Sequence, residues 1–173
     1  MPNKLTPREV FSNPIHFLAY GFGSGLSPKA PGTFGTLVGV ILYILLTPVA
    51  PWVYVLITLI LFLLGIFICA YTAGKMGVKD PGAVNWDEVV GYLATMTVVP
   101  HALRMAHGWL WIVLGFLLFR LFDILKPWPI RWLDRNIKGG LGIMLDDVAA
   151  AIPAAVILYI VMLVLPNIGL HWT

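Results

Sequence analysis

The sequence predicts an all-α polytopic membrane bundle, about five membrane-associated helices plus a short amphipathic helix at the interface. Three observations carry this. Apolar residues fill 60% of the 173 positions and charged residues 11%, with a mean hydropathy of +0.90, far outside the range of soluble domains. The apolar residues fall in runs whose lengths suit crossing a bilayer and returning. All eight acids, Glu9, Asp80, Asp87, Glu88, Asp123, Asp134, Asp146 and Asp147, lie in four polar stretches that such a path puts on one side of the membrane.

The spans follow in order. Pro7, Pro14, Pro28 and Pro31 interrupt residues 1–33, so no cleaved signal peptide is expected and the first crossing is a retained helix. That crossing, residues 34–50, is uncharged and ends at Pro48 and Pro51; at ~1.5 Å per residue it reaches about 25 Å. Residues 52–73 follow at once, also uncharged, and the two are expected to form a tight helical hairpin. The apolar run 89–99 is too short to cross alone, so a third helix is expected over 84–100, drawing Asp87 and Glu88 to headgroup depth. Residues 109–125 cross back carrying Arg120 and Asp123, and stop before Pro127 and Pro129, which forbid continuation. Between 128 and 138, Trp128, Trp132 and Leu133 oppose Arg131, Arg135 and Lys138, the pattern of an amphipathic helix in the headgroup plane. Residues 148–165 make the last span. The chain reads as one membrane-embedded domain over 1–173, without internal repeat. Its single cysteine, Cys69, can close no intrachain disulfide.

Basic residues set the orientation. Lys4, Arg8, Lys29, Lys75, Lys79, Lys126, Arg131, Arg135 and Lys138 fall on the side of the N-terminus and only Arg104 on the other, so the N-terminus is predicted cytoplasmic. Tryptophans 52, 86, 109, 111, 128, 132 and 172 all fall near predicted helix ends, as an interfacial belt requires.

Four polar motifs then meet on the cytoplasmic face. GSGLSPKAPGTFGT, residues 23–36, runs into the first helix; free backbone N–H groups, the helix dipole and the Lys29 charge suit such a junction to phosphate, with Thr33 and Thr36 in the first turns. A helix cap with a positive-inside lysine explains the segment about as well, and the Gly-Lys-Ser/Thr ending of a Walker loop is missing. In DPGAVNWDEVVGYL, residues 80–93, Asp87 and Glu88 point about 100° apart on a helix. Capping of a helix start accounts for Asp80 and less well for the pair. In FRLFDILKPWP, residues 119–129, Arg120, Asp123 and Lys126 can form an ion-pair ladder, yet ionisable residues inside an apolar span are costly and usually mark function. In GGLGIMLDDVAAA, residues 139–151, adjacent Asp146 and Asp147 have no basic residue close in sequence.

Convergence of Asp87, Glu88, Asp123, Asp146 and Asp147 sets five negative charges against Arg120, Lys126 and Lys29. Two like charges ~4 Å apart cost about 4 kcal/mol at an effective dielectric near 20, so the cluster must take up protons or a cation. Hard oxygen donors favour Mg²⁺ or Mn²⁺ over zinc, and His16, His101, His107 and His171 have no metal-ligand spacing. The five acids as a group, with Asp80 as a weaker member, are the candidate metal and catalytic residues. Lys29, Thr33, Thr36, Arg120 and Lys126 are the candidate phosphate-binding set. An acid-bound Mg²⁺ beside a lysine-bearing loop at headgroup depth points to chemistry on a lipid phosphate.

The stretches GLSPKAPGTFGT, DPGAVNWDEVVGYL, FRLFDILKPWPI and GGLGIMLDDV resemble, in order and over nearly the whole chain, the phosphatidylglycerophosphatase A family of bacterial inner-membrane lipid phosphatases. The resemblance implies Mg²⁺-dependent hydrolysis of the terminal phosphomonoester of phosphatidylglycerophosphate in phospholipid biosynthesis. The implied partners are that lipid and the bilayer, with no nucleic acid. Asn85 and Trp86 stand where many members carry an aliphatic residue before the acidic pair, a change not expected to abolish activity. No Cys-x5-Arg loop, Asp-x-Asp-x-Thr motif or histidine pair of other phosphatase classes is present. A metal-activated water is therefore the favoured nucleophile, with an aspartyl-phosphate route open. A small ion-coupled transporter is the competing reading, since intramembrane Arg and Asp also mark transport pathways.

Overall fold

The computed structural model describes residues 4–78, 81–106 and 108–164, the side chains of 104–106 excepted. Lys79, Asp80, His107, Leu165, His171 and Trp172, all used above, lie outside the described residues. Among those described, every regular element is helical: α1 Pro7–Ser12, α2 Pro14–Ala19, α3 Pro31–Leu46, α4 Pro51–Met76, α5 Trp86–Thr95, α6 His101–Ala106, α7 Gly108–Leu125, α8 Ile130–Asn136 and α9 Gly139–Val164. Short 3₁₀ turns at Ser24–Leu26 and Met96–Val98 complete them.

Local chemistry explains the helix starts. Thr6 and Glu9 form a reciprocal capping box at α1, satisfying two backbone donors at once. Proline opens α1, α2, α3 and α4, where its fixed φ fits and its missing N–H costs nothing. α4 ends at Gly77, which takes a left-handed φ of 65° and donates its N–H to the last turn, as a glycine stop does.

Three helices, α4, α7 and α9, are long and apolar enough to cross a membrane. α3 has 16 residues, ~24 Å, close to the predicted first span. The third expected span is corrected: α5 has only ten residues, ~15 Å, and gives way to the 3₁₀ turn rather than continuing to residue 100. Val89, Val90, Tyr92, Leu93 and Met96 are no more than 1% exposed. The apolar run is thus core rather than lipid-facing, the usual fate of a run this short.

The predicted α3–α4 hairpin is also corrected. The two helices meet chiefly where Tyr43 and Tyr54 pack edge to face, ring centroids 6.0 Å apart, while α5 packs against both. Tyr54 donates its hydroxyl proton to the Leu93 carbonyl at 2.7 Å, and Trp86 Nε1 donates to Leu61 O at 3.1 Å, which hold α5 in the middle of the bundle. α9 is the second hub, packing on α4, α5, α7 and α8. It begins at Gly139, nine residues before the predicted 148, so Asp146 and Asp147 lie inside the helix rather than at its start. Gly140 permits the crossing with α4: a side chain there would overlap the Ile66 carbonyl.

Candidate active site

The acids converge at one end of α5, α7 and α9. Asp87 and Glu88 lie in the first turn of α5, Asp123 in the last turn of α7, and Asp146 and Asp147 in α9. Asp87, Asp123, Asp146 and Asp147 are all at most 8% exposed, and Asp147 interacts with Asp123, Asp87 and Asp146. Gly91, one turn beyond Asp87, lets the helices close: a Cβ there would come within 2.6 Å of the Phe119 ring and 3.2 Å of Asp147 Cβ.

Within the cluster the structure separates three groupings that spacing left merged. Asp87, Glu88 and Asp147 each offer a carboxylate oxygen, all within 4.8 Å of one another. Asp123 receives a hydrogen bond from Arg120 Nη1 at 2.5 Å, and the same nitrogen lies 3.9 Å from Glu88 Oε1. Asp146 is paired with Lys126, which also lies 3.7 Å from Asp134 on α8. Burial works against the Lys126 charge, but Asp146 beside it more than compensates and holds its pKa above the ordinary lysine range.

Fully ionised, the five carboxylates would exceed Arg120 and Lys126 by three negative charges in a buried site. Glu88 Oε2 and Asp147 Oδ2 are buried and accept no hydrogen bond from any described residue. Buried carboxylate oxygens in this state call for protons or a cation, and three clustered hard oxygen donors fit Mg²⁺.

The glycine-rich segment reaches the cluster through the start of α3. Gly32 lies against Glu88 and Arg120, and a Cβ on it would come within 3.2 Å of Arg120 Nη1. Thr33, half-buried, is in the same first turn. Thr36 differs: fully buried, it donates its hydroxyl proton to Gly32 O at 3.0 Å and so braces the turn. Lys29 is exposed on the preceding turn, where its carbonyl accepts from Ser27 Oγ.

Asn85, read from the sequence only as a departure from the family pattern, has a structural part in the site. Completely buried, it donates from Nδ2 to Ser24 Oγ and to Pro31 O, both at 2.8 Å, and its backbone N–H donates to Ala19 O at 3.0 Å. It ties the glycine-rich segment to the start of α5, two residues before Asp87. The available signal was a lone amide among apolar neighbours immediately before the acidic pair.

Comparison with known proteins identifies the family. Residues 17–162 match the sequence profile described as phosphatidylglycerophosphatase A. The chain is 45% identical over 166 residues to phosphatidylglycerophosphatase A of Escherichia coli strain K12, covering 95% of this chain and 89% of that one. It is 47% identical over 148 residues to the Haemophilus influenzae protein of the same name, covering 85% and 88%. A Bacteroides thetaiotaomicron protein, provisionally named a phosphatidylinositol-3-phosphatase, is 42% identical over 137 residues, covering 76% and 83%. No solved structure matches. These kinships favour the phosphatase over the carrier: the chain belongs to the phosphatidylglycerophosphatase A family, and is a phosphatase of phospholipid biosynthesis.

Proposed function

We propose that the protein hydrolyses the terminal phosphomonoester of phosphatidylglycerophosphate to phosphatidylglycerol and inorganic phosphate, with Mg²⁺ held by Asp87, Glu88 and Asp147. The observation that carries this is the buried carboxylate triad beside Arg120 and the start of α3, in a chain of this family. In the reaction a water oxygen bonds to phosphorus, the bond from phosphorus to the glycerol oxygen breaks, and that oxygen leaves with a proton. When bound, the ion supplies Lewis-acid polarisation of the phosphoryl oxygens and an activated water.

The chain's own groups do the rest. Arg120, oriented by Asp123, and the first turn of α3 with Thr33 face the phosphate and stabilise charge that grows as the bond breaks. Lys29 adds a cation at the entrance. Lys126 pairs with Asp146 beside Asp147, so its part is to position the cluster. Asn85 keeps the phosphate-facing segment in register with the acids.

Phosphate release by detergent-purified protein tests this directly. Turnover of phosphatidylglycerophosphate that requires Mg²⁺ and is abolished by a chelator is expected; equal turnover in metal-free buffer would remove the metal from the mechanism. Including a phosphatidylinositol phosphate in the same assay decides between the substrates that the relatives' names point to.

The proposed setting is the bacterial cytoplasmic membrane, with α3, α4, α5, α7 and α9 embedded, α8 in the headgroup plane, and the N-terminus and acids cytoplasmic. Exposed Lys138 should then react with a membrane-permeant amine reagent in intact cells and resist an impermeant one. Labelling by the impermeant reagent would invert the topology.

A further inference from the structure

A two-lobed apolar depression lies between α4, α5 and α9, lined at its junction by Val148, the residue after Asp147. One lobe, about 340 Å³, is walled by Val98, Ala151, Ala155 and Tyr159; the other, about 300 Å³, by Val55, Leu59, Phe62 and Val90. Both are also lined by Ala94, Thr97 and Val148, so the two lobes adjoin at these residues, the junction between them.

Helical register connects the junction to the acids. On α5, Asp87, Val90 and Ala94 recur at three- and four-residue intervals, and on α9, Asp147, Ala151 and Ala155 recur every four residues. Residues so spaced share a face. Each helix therefore presents a carboxylate at the head of the stripe that forms the wall. The α9 wall runs from Val148 to Ile160, ~18 Å at ~1.5 Å per residue, slightly more than one leaflet of a ~30 Å hydrocarbon core. Alanines at 94, 151 and 155 hollow out the depression, while Ile152, Tyr159 and Ile160, 48–62% exposed, stand along its outer rim.

We propose that the depression receives the two acyl chains of the lipid whose phosphate is bound at the acid cluster, one chain to each lobe. This rests on the lipid-phosphatase reading above and adds that the enzyme recognises the diacyl anchor as well as the phosphate. Chains seated there orient the headgroup toward Asp87 and Asp147, and misplacement of a reacting group by as little as an ångström is costly in rate.

Photo-crosslinking of the wild-type protein tests the seat itself. A diacyl glycerophosphate lipid with a photoreactive group near a chain end should label the peptides containing Leu59–Phe62 and Ala151–Tyr159. Labelling spread evenly over lipid-facing positions such as Phe67, Val113 and Ile124 would mean ordinary annular lipid and overturn the proposal. Kinetics give an independent measure. Ala94→Phe, which fills the junction, and Ala155→Phe, which fills one lobe, should each lower kcat/KM on a long-chain lipid substrate roughly tenfold more than on a short-chain one, an effect of the size that pocket methylenes carry. Val113→Phe, on the lipid-facing side of α7, should leave that ratio alone. An unchanged ratio in both filled variants would also overturn the proposal. Failure of the wild-type protein to release phosphate from either substrate would instead count against the phosphatase reading, while the labelling pattern reads the acyl-chain seat independently of turnover.

Discussion

Asp147→Asn is expected to lower kcat for phosphate release by on the order of a thousandfold while leaving the protein folded. Asparagine keeps the volume of a side chain that is 2% exposed, but removes one charge and one strong metal donor from the triad with Asp87 and Glu88. A loss of that order is what a preorganised electrostatic group supplies in a water-poor site. The same change relieves repulsion, because Asp147 faces Asp123, Asp87 and Asp146; like charges in contact cost several kcal/mol at protein-like dielectrics. Thermal unfolding in detergent with chelator should therefore show the variant at least as stable as the wild type, and Mg²⁺ should stabilise the wild type more. Wild-type turnover in Asp147→Asn would sink the triad as the catalytic centre.

Lys126→Met is expected to have the largest effect on stability. Lys126 stands between Asp146 on α9 and Asp134 on α8, and methionine keeps the aliphatic stem while deleting the charge. Asp146 is 3% exposed and its partner Lys126 partly buried, so removing Lys126 costs about 3 kcal/mol, the low end for a buried pair, since Asp146 stays desolvated. The direction of the Lys126 pKa fixes the pH window. Raised above the ordinary ~10.4, it gives a contribution complete at neutral pH and lost only as pH climbs through the folded-state value. Adding Asp146→Asn to Lys126→Met should recover most of the stability, a coupling that a double-mutant cycle in detergent measures. Additive losses would show that Lys126 acts elsewhere, with direct phosphate contact the first alternative.

The corrections to the third span and to the α3–α4 hairpin have one cause. The run 89–99 is apolar enough to suggest lipid, but its side chains meet protein: Tyr92 packs on Tyr43, and Leu93 is fully buried, its backbone carbonyl accepting from the Tyr54 hydroxyl. Hydropathy records how apolar a segment is and not which apolar surface covers it. For the same reason 34–50 and 52–73 were adjacent in sequence and expected to pair, whereas α5 packs between the helices they form. The start of α9 was missed because 139–147 carries two aspartates and three glycines, a poor apolar signal for a segment whose burial comes from α4 and α5.

Membrane class, the helical fold and the gathering of Asp87, Glu88, Asp123, Asp146 and Asp147 were determined by the sequence alone. Each follows from quantities summed along the chain: run length, hydropathy, and the distribution of charge between runs. The division of those acids was decided by tertiary structure. Whether Asp147 joins Asp87 and Glu88 while Asp146 turns to Lys126 depends on a rotation of about 100° between neighbours on α9 and on which helix faces each side. That rotation is fixed by distant close contacts, Gly91 against Phe119 and Gly140 against Ile66, and no spacing within a single motif encodes them.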